Sequence, residues 1–271
     1  MSDNSDDIGR QLRRFKQGLK VRAPGSETKL PILQTALLGW REGFRALSQM
    51  PKLATKAFAV VLVCMLANIS LAFYKPVEMP FSIERLIERP VGIELLSFGL
   101  SILQIFFLAP VAIAVHRHVL LGEITETYFP DPASPRFRHF FLFGLLLQAI
   151  WLPASLSHGL LWLLLFCLAA FFGARIIMLF PAIAIDGPGA NLAGAWQNSS
   201  GHFWRIFAAV VLSLLPVLLV FVFVILFPEP GFALLGLFAP FGVVIATFVA
   251  DALASHLYRG LAQRADQPAQ P

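Results

Sequence analysis

Six stretches of the chain are apolar almost without interruption: residues 57–74, 95–115, 140–156, 160–185, 206–227 and 232–253. A hydrocarbon core about 30 Å thick takes roughly 20 apolar residues to cross as a helix, so each stretch predicts one membrane span. Turn-forming residues stand where the chain must reverse. Ser155, Ser157, His158 and Gly159 separate the third stretch from the fourth, and Pro228, Glu229, Pro230 and Gly231 separate the fifth from the sixth. The pattern predicts an all-α fold, a polytopic membrane bundle of six transmembrane helices.

Between and before these spans the period changes. In residues 31–51, Leu33, Leu37, Trp40, Phe44 and Leu47 fall on one helical stripe, with Arg41, Glu42 and Arg45 away from it. Thr35 is a candidate cap and Pro51 marks the end. From Asn191 the same arrangement recurs, with Leu192, Trp196, Ser199 or Ser200, and Phe203 on one face, and again an apolar span follows. These two segments predict interfacial amphipathic helices on the cytoplasmic face, with Trp40, Trp196, Phe203 and Trp204 as anchors at the headgroup level. The parallel between Leu37–Trp40 and Ala193–Trp196, each leading into a span and a return span, is also what an internal duplication would leave. Further upstream, Ile8, Leu12, Phe15 and Leu19 form a stripe flanked by Arg10, Arg13, Arg14, Lys16, Lys20 and Arg22. That segment reads either as a basic helix lying on an anionic leaflet or as a solvated tail.

Composition agrees with the pattern: 57% of residues are hydrophobic, 14% are charged and the mean hydropathy is +0.73. Such a balance excludes an ordinary soluble domain. Charge sets the orientation. Eleven Lys or Arg precede the first span, which holds the N-terminus in the cytoplasm, and six crossings return the C-terminus to the same side. Arg117, Arg136, Arg138, Arg205, Arg259 and Arg264 then fall inside, while Lys75, Arg85 and Arg89 lie outside among Glu78, Glu84, Glu88 and Glu94. The expected organisation is a basic tail at 1–31, a membrane domain at 32–260 and a cytoplasmic tail at 261–271, in a bacterial inner membrane. The N-terminus lacks the apolar core of a cleaved signal, so the first span is expected to direct insertion. Topology accounts for the basic charge, so nucleic acid is not an expected partner; anionic inner-leaflet lipid is.

The stretch at 175–205, RIIMLFPAIAIDGPGANLAGAWQNSSGHFWR, resembles a signature of six-helix bacterial inner-membrane proteins that include the membrane domain of some glycerophosphodiester phosphodiesterases. The resemblance rests on Arg175, Pro181 with Ala182, Asp186, Ala195 with Trp196, Gly201 and Phe203, and the segment GWREGFRALSQMP is similar to the helix preceding the first span in the same group. It implies a stand-alone membrane module of unestablished activity, since the sequence ends soon after the sixth span and leaves no place for the catalytic barrel of those relatives. The leading functional reading is a non-enzymatic module that shapes or scaffolds the membrane or binds lipid through its two interfacial helices, in a compact bundle with no continuous cavity.

Ionisable groups at membrane depth are costly and tend to face protein or water. Arg175 in the fourth span and Asp251 in the sixth are therefore candidates for a polar site taking a lipid phosphate or another anionic headgroup, with Asp186 nearby. The alternative is that Arg175 snorkels to the interface. Should Arg175 and Asp251 form one site, a transporter or exporter of a lipid-like amphiphile is the second reading, with a cavity between the second, fourth and sixth spans. Asn68, Gln104 and Gln148 read as interhelical hydrogen bonds. Prolines at 110, 153, 181, 216 and 240 lie within spans, which transport folds also exploit. No catalytic residues, cofactor or metal are expected. His116, His118 and His139 with Glu123 and Glu126 match no metal-ligand spacing, Cys64 and Cys167 sit apart in apolar runs, and no HExxH, GxSxG, P-loop or paired intramembrane aspartates occur.

Overall fold

A computed structural model of the chain describes residues 31–73, 91–125, 129–155, 159–187, 189–226 and 228–265. The basic segment at 8–22, the charges from Lys75 to Arg89 between the first two spans, Glu126 and the last residues of the C-terminal tail lie outside them. Among the described residues the regular structure is helical throughout, with no strand: α1 (Ile32–Gln49), α2 (Pro51–Phe73), α3 (Val91–Leu121), α4 (Pro135–Ser155), α5 (Gly159–Ile176), α6 (Leu179–Ala184), α7 (Leu192–Ser199), α8 (Phe203–Leu226) and α9 (Pro228–Ala265). Four helical segments, Pro51–Leu71, Gly92–Leu121, Leu163–Ala184 and Phe238–Leu261, are long and apolar enough to cross a membrane. A fifth arises if α7 and the start of α8, bent by 93° at their junction, are taken as one. The chain is a multi-pass membrane protein.

Several boundaries differ from those read in the sequence. The second apolar run does not stop at Val115: α3 continues to Leu121, carrying His116 and His118 into buried positions. Pro228 opens α9 instead of a turn, because proline at a helix start loses only an N–H that has no partner there. At its other end α9 continues to Ala265, with Leu261 buried, so the helix runs past the expected domain edge at 260. The fourth run breaks at Ile177 and Met178 into α5 and α6. Thr35 does not cap α1; Pro31 takes that place and the Thr35 hydroxyl donates back to its carbonyl.

α9 is the hub, packing on α1, α8, α3 and α2 along its length, while α4 and α5 pair with each other, α4 joining the rest through α3 and α5 through α7 and α8. The α1 contact is antiparallel: a Cβ on Gly39 would stand 3.0 Å from Leu253 Cβ, and one on Gly43 would stand 2.8 Å from Val249 Cα. The buried face of α1 is thus its small-residue stripe, Thr35, Ala36, Gly39, Gly43 and Ala46. Small residues spaced this way let two backbones approach closely where lipid offers no hydrophobic drive. The leucine and phenylalanine stripe seen in the sequence points outward, with Leu33, Leu37 and Phe44 exposed. Trp40 belongs to the packed side. Its indole donates to the Ser213 carbonyl of α8 at 3.1 Å, and it is half-buried there.

Packing quality is unequal along the bundle. Towards the end that carries the charged residues, Ala109–Val115 of α3, Ile206 and Ala209 of α8, and Phe248, Leu253, Leu257 and Tyr258 of α9 are buried. Towards the other end the same helices expose Leu95, Leu96 and Leu103, then Leu215 and Leu219, then Phe238 and Phe241. Among the described residues burial is therefore densest towards the polar end.

Candidate functional site

The chain leaves α5 and reaches α8 through a sequence of local breaks. Asp186 adopts a positive φ of 50°, where aspartate is tolerated better than most residues, and Gly189 follows at 77°. Asn191 then caps α7, accepting the Gly194 N–H at 2.7 Å. Gly194 is required: a Cβ there would meet Gly189 Cα at 2.6 Å. This turn and the 93° bend set α7 across the end of α5.

Arg175 is where these elements meet. Its guanidinium lies over three rings, Trp196 of α7 at 5.0 Å, Phe171 of α5 at 5.4 Å and Phe203 of α8 at 5.5 Å from the centroids. The planar cation stacks on aromatic faces, an attraction that strengthens as water is withdrawn. One amine approaches the Ser199 hydroxyl at 3.4 Å, and Nε is buried without a partner. Among the described residues no carboxylate stands within ion-pairing distance of Arg175. Trp204, next to Phe203, is 76% exposed, and Trp196 is partly so. Trp196 and Phe203 therefore pack on the arginine as well as reaching the surface, and Trp40 bonds to α8.

The sequence-based pairing of Arg175 with Asp251 does not form. Arg175 faces α7 and α8, while Asp251 faces α3, with Oδ1 3.7 Å from His116 Nε2. His116 is fully buried, and its other ring nitrogen lies 2.8 Å from the Ser255 hydroxyl, one turn beyond Asp251 on α9. Ser255 also lies 2.9 Å from the Asp251 carbonyl. His116 Nε2 and Asp251 Oδ2 are buried with no hydrogen-bond partner. In the sequence His116 is set only against metal-ligand spacing and falls outside the second span, because that run is ended at Val115, six residues before the helix ends. The signal was present in the spacing of Thr247, Asp251 and Ser255 at four-residue steps.

Asp186 goes to a third place. It pairs with Arg136 at the start of α4, on an exposed surface. Arg117 is held by Glu123 through two hydrogen bonds of 2.6 and 2.7 Å and also donates to the Ala184 carbonyl, tying α3 to α6. Arg175, Asp186 and Asp251 thus belong to three separate clusters.

A cavity of about 280 Å³ lies between α3, α4 and α9. Ser101, Gln104, Gln148 and Thr247 supply its polar lining, and Leu108, Ala112 and Phe140 are among its apolar walls. The expectation placed a cavity between the second, fourth and sixth spans, reaching Arg175 and Asp251; the observed one shares the second and sixth spans but lies against the third instead of the fourth, away from Arg175. It approaches Asp251 and His116, since Thr247 and Ala112 are each one helical turn from them. Asn68 donates to the Cys64 carbonyl within its own helix. Among the described residues no three potential metal ligands gather. No protein-family model, curated protein or solved structure matches the chain.

Proposed function

We propose that this protein is a six-crossing inner-membrane module, with both termini cytoplasmic, that binds anionic lipid through Arg175 and has no enzymatic activity. The observation that carries the reading is the unpaired guanidinium, half-buried in an aromatic cage beside exposed tryptophan. A cation at membrane depth needs a counter-charge, and the groups around Arg175 supply ring faces and a hydroxyl but no anion. A lipid phosphate fits the remaining N–H donors, because a planar guanidinium offers paired donors to phosphate oxygens. Orientation is supported by Arg117, Arg136, Arg175 and Arg259 gathering at the polar end of the bundle, which matches the positive-inside bias. The lipid partner is identified by its chemistry, an anionic headgroup at the inner interface.

The test is lipid retention by the full chain. Wild type purified in mild detergent is titrated with phosphatidylglycerol or phosphatidylcholine and its bound lipid is read by native mass spectrometry. Arg175→Gln should weaken phosphatidylglycerol binding roughly tenfold, the loss of a charge-assisted bond of about 1.5 kcal/mol, and leave phosphatidylcholine unchanged. Equal retention of both lipids by wild type and variant would overturn the proposal. An exporter is the second reading, favoured by the polar-lined cavity between α3, α4 and α9.

A further inference from the structure

We propose that His116 and Asp251 form a one-proton binding site between α3 and α9, one helical turn from Ala112 and Thr247 of the cavity. The site is independent of Arg175 and of the lipid reading. Its charge accounting is simple. If the Ser255 hydroxyl donates to the Asp251 carbonyl, His116 donates from Nδ1 and its bare Nε2 faces a carboxylate oxygen at 3.7 Å. Two acceptors then oppose each other, and a proton between them turns the contact attractive. If the hydroxyl instead donates to Nδ1, the ring proton sits on Nε2 and Asp251 remains an anion with Oδ2 buried and unpartnered. One added proton brings the pair to zero net charge in either arrangement.

Among the described residues the surroundings provide no other compensation. Arg117 is taken by Glu123, Arg136 by Asp186, Arg45 by Glu42, Arg175 by its aromatic cage, and Arg259 by the carbonyls of Val119 and Leu120. Lys56 lies over Phe129, and His118 is joined to the Glu123 carbonyl. Arg41, Lys52, Arg138, His139, Arg205 and His256, from the elements around the pair, also stand outside ion-pairing distance of Asp251. The path for the proton is the nearby cavity. At about 30 Å³ of liquid volume per molecule it has room for several waters, and its hydroxyl and amide groups give them partners. A proton carried by that water binds between Nε2 and Oδ1 and leaves the same way, with no bond to carbon made or broken. Because Ala112 and Thr247 line the cavity one turn from the pair, its proton occupancy acts on α3 and α9, two of the three helices that frame the cavity.

The experiment is infrared difference spectroscopy of the full chain in phosphatidylcholine–phosphatidylglycerol nanodiscs, titrated with acid. Wild type should show a protonated-carboxyl carbonyl band that Asp251→Asn lacks. His116→Gln should keep the band but move its titration midpoint by a pH unit or more, while Arg175→Gln should leave it in place. If Asp251→Asn fails to fold, Asp251→Glu keeps an acid and should shift the band's frequency. A band unchanged by substitution of Asp251, or a midpoint unchanged in His116→Gln, would overturn the proposal.

Discussion

The close approach of α1 to α9 gives the sharpest prediction. In Gly43→Ala the new methyl stands 2.8 Å from Val249 Cα and 3.0 Å from both its nitrogen and Cγ2, where ordinary contact begins at 3.4 Å. Two of those three atoms are backbone, so no rotamer change relieves the clash and α1 must move away from α9 by about 0.6 Å. A gap of that size forfeits about a quarter or more of the dispersion energy of each contact along the interface. Over-packing of this kind costs about 1–3 kcal/mol, and the alanine's better helix propensity returns about 1 kcal/mol. The expected net loss is about 1 kcal/mol, with Gly43→Leu losing several times that. Gly260→Ala, on the same pair of helices but with nothing within 4 Å of its Cβ, has only the propensity gain. The assay is unfolding of the full chain by sodium dodecyl sulfate in mixed micelles, followed by circular dichroism. If Gly43→Ala unfolds at or above the wild-type midpoint, or if Gly260→Ala loses as much, the close α1–α9 contact is not what holds α1.

Other substitutions probe the remaining elements. Asn191→Ala removes the cap of α7 and should cost about 1 kcal/mol, whereas Gly194→Ala, which collides with backbone at Gly189, should cost more and raise the exposure of Trp196 to aqueous quenchers. Trp40→Phe keeps an aromatic ring but loses the bond to the Ser213 carbonyl, so a loss of about 1 kcal/mol is expected in the same unfolding assay. The Arg136–Asp186 pair is exposed, and Asp186→Asn, which tolerates the positive φ, should change stability by less than about 1 kcal/mol. Both cysteines are free, Cys64 buried and Cys167 exposed; a maleimide that partitions into membranes should label Cys167 first, read by mass spectrometry of the peptides. The reverse order would contradict the placement of α2 and α5.

Helical class and membrane character were legible because both depend on local properties: the length of an apolar run, the lack of charge within it, and the residues that break it. The disruption after Arg175 was legible for the same reason, since Pro181, Asp186 and the glycines act on their own backbone. The partners of the charged residues were not. Arg175 and Asp251 lie at similar depth, and depth was the only coordinate the sequence supplied. Which way each helix is rotated, and which helix stands beside it, decided that one meets aromatic rings and the other a histidine.

The face of α1 illustrates the same division. Hydrophobic periodicity located the helix and found its leucine stripe, but in a lipid setting the largest apolar side chains need not turn inward, because the solvent is as apolar as they are. The interface went to Gly39 and Gly43, where backbones approach within contact distance, and that choice depends on the matching surface of α9, more than 200 residues away in sequence. Sequence alone determined which segments are helical, which suit a membrane and where the chain breaks. Only the tertiary structure decided which polar groups face each other, because their pairing is set by helix rotation and close packing, neither of which is encoded in a run of residues read by itself.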